Sequence, residues 1–339
     1  MAESLAVKYR PHVFEDVSSQ YSVIKILRRQ LELKQFKNCY LFCGPSGCGK
    51  TTLARIFANE INEGKGSPIE IDGASNNGVD NVKTIINDAK ARSIDSKYKV
   101  YIIDECHAIT NQGWQAFLKC IEEPPAYTIF MFCTTDPQKI PATIHNRVMK
   151  FNLTKVETKQ IENRLNFICQ NEGFTNYQDS TTYISKICNG GMRDAISMLE
   201  KVSGLSTDIS IENTLTALGN YSYESFFELT NALIDAKLDV IINIVEDYNN
   251  KGNDLKLFID QYLDFILDLD KYCIFHDMNI VKLPINMKPL VDYATNIENN
   301  TKYYSWLVDK ILDIKNTIRY DTSIKTTIEI MLLSISRGE

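Results

Sequence analysis

Apolar residues in the first half of the chain follow two patterns. Short apolar runs, most of them without alternation, predict strands, and an unbroken run is typical of a strand covered on both faces. Helical spacing of apolar residues predicts amphipathic helices between the runs. An α/β fold with a parallel sheet between helices follows from this order of elements. We expect strands at 39–43, 67–72, 99–105, 128–134 and 148–153, and helices within 1–38 and over 52–58, 79–92, 111–122 and 141–145.

The pattern changes near residue 156, after which helical spacing continues without strand-like runs. Three helices fit 156–171, 179–188 and 192–203, and Gly190-Gly191 separates the last two. Further helices are expected at 223–236, 237–250, 254–275, 300–318 and 320–336, with loops at 249–253 and 296–301. We therefore predict an α/β domain over 1–155, a three-helix domain over 156–207 and an all-α domain over 208–339.

Composition fits an ordinary globular protein of two or three domains, with 339 residues, 44% of them hydrophobic and 24% charged. No run approaches the ~18 uninterrupted apolar residues of a membrane helix. The first residues lack the basic-then-apolar form of a signal peptide, so we expect a cytoplasmic protein. Residues 1–160 carry 21 Lys+Arg against 17 Asp+Glu, and 161–339 carry 16 against 26. The more basic half is the better candidate for facing nucleic acid.

The nine cysteines are scattered, several of them inside apolar runs, and no CxxC occurs. This spacing indicates neither a zinc site nor a disulfide framework. We expect reduced thiols that serve as small apolar side chains.

A glycine-rich stretch directly after the first strand matches the phosphate-loop pattern G-x-x-x-x-G-K-[ST]. Glycines allow the backbone N–H groups to fold around an anion, and the following helix adds its partial positive charge. In this pattern Lys50 reaches the β- and γ-phosphates, and the Thr51 hydroxyl holds Mg²⁺. The sequence therefore predicts a nucleotide site that includes Ser46, Gly47, Cys48, Gly49, Lys50, Thr51 and Thr52.

Two carboxylates, Asp104 and Glu105, end the apolar run at 99–105. Downstream of a phosphate loop, this pair indicates a Mg²⁺ ligand in Asp104 and a general base for water in Glu105. Thr134 ends the next strand, and its spacing leaves two interpretations open: a group that bonds the γ-phosphate or the water, and an ordinary hydroxyl at the end of a strand. His107 has no visible partner in the sequence, and we assign it no role.

Several stretches together resemble one family, the bacterial clamp loader ATPases of the DNA polymerase III gamma/tau type, in the AAA+ class. The resemblance is dense over residues 5–205, and the helical remainder is compatible with that family's collar domain. It rests on Lys8-Tyr9-Arg10-Pro11, the phosphate loop, Glu70-Ile71-Asp72-Gly73-Ala74-Ser75, the run from Lys99 to His107, Glu122-Glu123-Pro124-Pro125, Thr134-Thr135-Asp136-Pro137 and the run from Gly190 to Ala195.

The resemblance implies a ring of clamp loader subunits that uses ATP to open a sliding clamp and close it around primed DNA. It implies that Tyr9, Pro11 and Val17 lie near the adenine, and that Thr134 acts as sensor 1. Arg193 would be sensor 2, and both Met192 and Arg193 would contact the nucleotide.

The resemblance also assigns roles outside the nucleotide pocket. Arg147 would reach from one subunit into the nucleotide site of its neighbour. Asn76, Lys119 and Thr143 would face DNA.

Three departures from the family pattern affect these expectations. The four-cysteine zinc module is missing, because only residues 59–67 fill that interval, so we predict no zinc. The family's Ser-Arg-Cys motif is Asn146-Arg147-Val148 here, which keeps the arginine. The sequence also ends at residue 339, without the long extension of the tau form.

Two other functions remain open at this point. One is a ring subunit that does not hydrolyse ATP, similar to the family's delta-prime members, although intact Lys50, Thr51, Asp104 and Glu105 argue against it. The other is a different AAA+ motor, such as a helicase loader or a Holliday-junction motor.

Overall fold

The computed structural model of the chain describes residues 3–219, 223–295 and 300–338. The chain forms two compact units, one of Met1–Asn171 with Ile184–Glu200 and the other of Glu172–Tyr183 with Lys201–Glu339. The finer division at 155 and 207 stays a prediction.

Five strands form one parallel sheet in the first unit. All five predicted strands are confirmed, and their order across the sheet is β2-β3-β4-β1-β5. Strand β1 lies between β4 and β5, so that Cys43 is opposite both Thr134 and Asn152. The strands are β1 (Cys39–Cys43), β2 (Ile69–Asp72), β3 (Lys99–Asp104), β4 (Thr128–Thr134) and β5 (Met149–Asn152).

Helices connect the strands, as parallel pairing requires. The predicted helices are confirmed, and a short additional one, α1, precedes them. They are α1 (Leu5–Lys8), α2 (Tyr21–Leu33), α3 (Lys50–Ile61), α4 (Val79–Ala89), α5 (Asn111–Glu122), α6 (Ala142–His145) and α7 (Thr158–Glu172).

Both faces of the sheet are covered, which explains why β1 shows no polar alternation. Tyr40 and Phe42 pack in one apolar cluster with residues of α2 and α3. Leu41, pointing the other way, packs in a second cluster with Trp114 and Phe117 of α5. All five residues of β1 are buried as a result, and the predicted α/β class is confirmed.

Parallel strands bring their carboxyl ends to one edge of the sheet, where ligands bind in folds of this kind. The loop from β1 to α3, Asp104 at the end of β3 and Thr134 at the end of β4 all lie at this edge. Gly44 N donates to Thr134 O at 3.2 Å, which ties the loop to β4.

The rest of the chain is helical, as predicted. Two helices, α10 and α14, were not predicted. Of the loop predicted at 296–301, residues 296–299 lie outside the described residues, and residues 300 and 301 belong to helix α15 instead. The other predicted loop, 249–253, begins at residue 251, because helix α12 continues through Asn250. The helices are α8 (Gln178–Ile187), α9 (Met192–Ser203), α10 (Ile211–Leu218), α11 (Tyr223–Ile234), α12 (Leu238–Asn250), α13 (Leu255–Phe275), α14 (Lys288–Thr295), α15 (Asn300–Ile318) and α16 (Ile324–Ser336).

Helix α13 is central to the core of the second unit, where it packs against α11, α12, α14, α15 and α16. A buried carboxylate, Asp268, lies on this helix and accepts a hydrogen bond from Lys282 N at 2.6 Å. Among the described residues, no helix combines the length and apolar character needed to cross a membrane.

Candidate functional site

The loop between β1 and α3 has a backbone that glycine adopts readily. Gly47 and Gly49 have φ values of 69° and 101°, in the left-handed region. A Cβ on Gly47 would lie 3.1 Å from Gly191 Cα, so this glycine also allows a close approach of the segment before α9. Met192 N donates to Gly47 O at 3.0 Å. The first residue of α9 is therefore held against the phosphate loop.

Lys50 is almost fully buried, with 6% of its surface exposed. Its Nζ donates to the carbonyl oxygens of Gly44 and Pro45, both at 2.9 Å. Among the described residues, no carboxylate forms a direct ion pair with this ammonium group. The side chain is thus held at the loop, where phosphate oxygens would be stronger partners.

Thr51 and Asp104 are in direct contact across the carboxyl edge of the sheet. Thr51 Oγ1 donates to Asp104 Oδ2 at 2.8 Å. Asp104 Oδ1 accepts from Glu105 N at 2.9 Å. One hydroxyl and one carboxylate, both oxygen donors, suit a hard cation that keeps several waters, as Mg²⁺ does.

No group of three or more His, Cys, Asp or Glu side chains suited to a metal occurs within the described residues. The nine cysteines are free thiols, and all but Cys273 are buried. Burial raises the pKa of Cys48 in the phosphate loop, which keeps this thiol protonated at neutral pH.

Glu105 follows β3 with a φ of 44°, which is uncommon for a residue other than glycine. Its Oε2 accepts a hydrogen bond from Thr135 Oγ1 at 3.2 Å and lies 3.1 Å from His107 Nδ1. The same Nδ1 lies 3.3 Å from Thr134 Oγ1. His107, to which the sequence assigned no role, therefore has two partners at the site.

The predicted nucleotide residues border one cleft in the first unit, with about 970 Å³ of space including the part open to solvent. Thr134 and Arg147 are not among its described lining residues. The lining includes every residue predicted to bind the nucleotide: Tyr9, Pro11, Val17, Ser46, Gly47, Cys48, Gly49, Lys50, Thr51, Thr52, Met192 and Arg193, together with Asp104 and Glu105. Their individual roles stay predictions.

Two arginines of the cleft carry no assigned role from the sequence. Arg10 lines the cleft, and burial, followed by the positive charges of Arg55 and Arg193, lowers its pKa. A cation in this situation gains from the arrival of an anion. Its position inside the Lys-Tyr-Arg-Pro stretch was the signal that could have identified it.

Arg164 of α7 also lines the cleft, and burial lowers its pKa. Its Nη2 donates to Tyr9 O at 2.8 Å, and its guanidinium lies 5.1 Å from the centre of the Phe167 ring. Arg164 thus fixes the segment that carries Tyr9. Nothing in the helical pattern of α7 distinguishes this residue, because its contact depends on tertiary structure.

Arg147 lies just after α6, and two partners orient its guanidinium. Nη1 donates to Thr143 O at 2.7 Å, and Nη2 lies 2.7 Å from Glu122 Oε1 at the end of α5. The side chain remains 38% exposed. It is therefore held in a defined direction with part of its donor surface open.

The three residues predicted to face DNA lie on three different elements. Lys119 is exposed in the last turn of α5, and Thr143 is exposed on α6. Asn76 lies in the turn after β2, where its Nδ2 donates to Asp72 O at 3.0 Å. No hydrogen bond joins the three side chains in the described part of the chain.

Comparison with known proteins gives several bacterial relatives. The tau subunit of DNA polymerase III from Bacillus subtilis is 35% identical over 286 residues, which cover 78% of this chain and 51% of the relative. The gamma subunit from Buchnera aphidicola is 29% identical, with 97% of this chain and 96% of the relative covered. The chain is thus similar, over most of its length, to gamma and tau subunits of DNA polymerase III.

The chain spans about half the length of the first curated relatives it matches, which include a gamma/tau subunit of Mycoplasma genitalium at 29% identity and 55% coverage of the relative. A family model for the DNA polymerase III delta subunit also matches, over residues 67–157. That range excludes the phosphate loop.

A solved structure of RuvB from Thermotoga maritima, a Holliday junction branch migration motor, is similar in fold. The TM-score is 0.53 at 18% identity, and the alignment covers 76% of this chain and 90% of RuvB. At this identity the likeness shows the fold alone. The predicted fold, a parallel sheet between helices that is followed by further helices, is thus shared with RuvB.

Proposed function

We propose that this chain is an ATP-hydrolysing subunit of a sliding-clamp loader. The observation that carries the proposal is the contact of Thr51 with Asp104, directly beside the Glu105 carboxylate and the buried Lys50. A subunit that does not hydrolyse ATP has no need of all four groups. The kinship with gamma/tau subunits supports clamp loading as the purpose of the hydrolysis.

ATP binding follows from the orientation of the chain's own groups. Lys50 Nζ leaves its carbonyl partners for the β- and γ-phosphate oxygens, and the N–H groups of the phosphate loop bond the remaining oxygens. Tyr9, Pro11 and Val17 cover the base. Thr51 and Asp104 would hold Mg²⁺, which neutralises charge on the phosphates when it is bound.

In the proposed hydrolysis reaction, Glu105 is the general base. Its carboxylate takes a proton from a water molecule as the water oxygen bonds to the γ-phosphorus. The bond from that phosphorus to the β,γ-bridging oxygen breaks, and ADP and inorganic phosphate result. Thr134, whose hydroxyl accepts from Asp136 N at 3.0 Å, bonds the γ-phosphate or the water as sensor 1.

Two arginines complete the site in this proposal. Arg193, the second residue of α9, lines the cleft and acts as sensor 2. Arg147 serves the nucleotide site of a neighbouring subunit, so that hydrolysis depends on assembly of a ring. The helices over 208–339 supply the ring contacts, and Lys119, Asn76 and Thr143 face primed DNA. Such a protein works in the cytoplasm.

The test measures steady-state ATP hydrolysis by the full chain alone, with primed DNA, and with primed DNA plus the sliding clamp and partner subunits of the same genome. A further mixture contains a four-way DNA junction in place of primed DNA and clamp. We expect primed DNA and clamp together to stimulate turnover, and Lys50→Ala to remove it. Stimulation by a four-way junction, with no response to the clamp, would instead indicate a different AAA+ motor. Absence of turnover above the Lys50→Ala background in every mixture would leave only the non-hydrolysing subunit.

A further inference from the structure

One imidazole nitrogen lies between the two groups assigned to the attacking water. His107 Nδ1 is 3.1 Å from Glu105 Oε2 and 3.3 Å from Thr134 Oγ1. The side chain of His107 is 22% exposed, which leaves it little freedom to turn away. The contact therefore joins the residue after β3 to the last residue of β4.

The Glu105 side chain is more exposed than that of His107, so burial alone does not fix the orientation of its carboxylate. Its side chain is 42% exposed, and a glutamate has three rotatable side-chain bonds. Thr135 Oγ1 and His107 Nδ1 both meet Oε2, and no hydrogen bond to Oε1 occurs within the described residues. One oxygen is thus held while the other can receive a proton.

Thr134 is a rigid reference point for this contact. It is fully buried, and its Oγ1 accepts from Asp136 N at 3.0 Å. When Nδ1 carries the proton, its single N–H is shared between Thr134 Oγ1 and Glu105 Oε2, so the fixed hydroxyl also fixes the imidazole. His107 can therefore hold the Glu105 carboxylate at a defined position relative to Thr134.

We propose that His107 is a positioning residue, whose Nδ1 holds the Glu105 carboxylate in line with Thr134 for attack of water on ATP. This inference rests on the proposed ATPase function. It assigns no proton transfer to His107, because Glu105 remains the group that takes the proton. The imidazole supplies orientation, which contributes to rate when a base must be aligned with its water.

The test uses the different reach of two amides. Asparagine carries its amide nitrogen at the same number of bonds from Cα as Nδ1 of histidine, and glutamine carries its own at the number of bonds of Nε2. His107→Asn should therefore retain most of the single-turnover rate of ATP hydrolysis. His107→Gln and His107→Ala should lower it about 10-fold, the scale of one lost oriented hydrogen bond.

Binding and stability separate positioning from a structural role. The Kd for ATP and the Tm should be equal in the Asn, Gln and Ala variants, since the proposed contact acts on the water and not on the nucleotide. A structural role would instead lower Tm and rate together. His276→Asn, in the second unit, is the control, because Asn tolerates the left-handed backbone of that position.

A double variant shows whether His107 acts through Glu105. On the Glu105→Gln background, His107→Ala should produce no further loss of rate, because the group that it positions is gone. An additional 10-fold loss there would overturn the inference, as would a wild-type rate in His107→Ala.

The failure of the proposed function looks different in the same experiment. Wild-type hydrolysis no faster than that of Lys50→Ala, in the stimulated mixture, would overturn the ATPase proposal and this inference together. Measurable wild-type hydrolysis with no effect of His107 would overturn the inference alone.

Discussion

In the proposed function, Arg147 determines whether ATP hydrolysis depends on assembly of a ring, and two different roles for its guanidinium lead to different expectations. If the guanidinium serves only its own chain, Arg147→Ala removes an ion pair with Glu122 whose side chains are 38% and 48% exposed. Such a pair contributes ~0–1 kcal/mol. If it reaches a neighbour's γ-phosphate, its loss costs about 10³–10⁵ in rate, as for arginine fingers generally.

The local geometry allows the second role. Thr143 O and Glu122 engage Nη1 and Nη2, and a guanidinium has five N–H donors, so others remain for phosphate oxygens. Lysine offers a single point charge and cannot reproduce this fork. We therefore expect Arg147→Lys to behave nearly as Arg147→Ala does in turnover.

The assay compares ATP binding by the isolated chain with turnover stimulated by clamp and primed DNA. Arg147→Ala should bind ATP normally, unfold within ~1 kcal/mol of the wild type, and lose stimulated turnover. Arg28→Ala is the matched control, because Arg28 forms a comparably exposed pair with Glu15 at 45% and 68%. Its stimulated turnover should be normal.

Mixed assemblies locate the defect. In these assemblies, Arg147→Ala subunits are combined with subunits that carry Glu105→Gln. If Arg147 acts on the nucleotide site of the adjacent subunit, ATP hydrolysis should be lost at the site next to each Arg147→Ala subunit and not at that subunit's own site. Normal stimulated turnover in an assembly made only of Arg147→Ala chains would refute the reasoning.

Three further predictions concern separate features of the chain. Lys119→Ala should weaken binding to primed DNA and reduce the slope of log K against log salt by about 0.9, as for one phosphate contact; an unchanged slope would make it an ordinary surface lysine. Arg10→Ala should raise the Kd for ATP about 10-fold or more, the scale of a charged hydrogen bond, and a fluorescent nucleotide titration would contradict this if Kd were unchanged. Burial raises the pKa of Asp268, so the folded protein favours the protonated side chain. The free energy of unfolding of the wild type should therefore fall relative to that of Asp268→Asn as pH rises from the ordinary carboxyl pKa through the raised pKa of Asp268. Urea unfolding at several pH values tests this, and an equal pH dependence of the unfolding free energy in the two proteins would contradict it.

The sequence was most informative where burial imposes a simple pattern. The strand β1 has apolar residues throughout because Tyr40 and Leu41 face different clusters, each covered by helices. The two missed helices are short, so that each offers few apolar positions. Helix α10 has only eight residues, and its limits depend on the Ser210 cap and on Gly219 at a φ of 70°. Helix α14 carries Pro289 in its first turn, where proline is tolerated.

Some residues of the candidate site could be identified from the sequence, and others could not. A phosphate loop is local in sequence, so the residues around Lys50 could be named from their spacing alone. His107 and Arg164 could not be assigned in this way, because their partners Thr134 and Tyr9 are 27 and 155 residues away in the chain. A contact of that kind follows from the order of strands and helices, which spacing along the chain does not give.

The central claim is that Glu105 activates water at an ATP site built by Lys50, Thr51 and Asp104. The most direct test compares Glu105→Gln with the wild type in ATP affinity and single-turnover hydrolysis, under conditions that stimulate the wild type. The account predicts an unchanged Kd and a rate lower by about 10²-fold or more, the scale of a lost general base. A Glu105→Gln variant that hydrolyses ATP at the wild-type rate, or that loses binding as completely as Lys50→Ala, would contradict it.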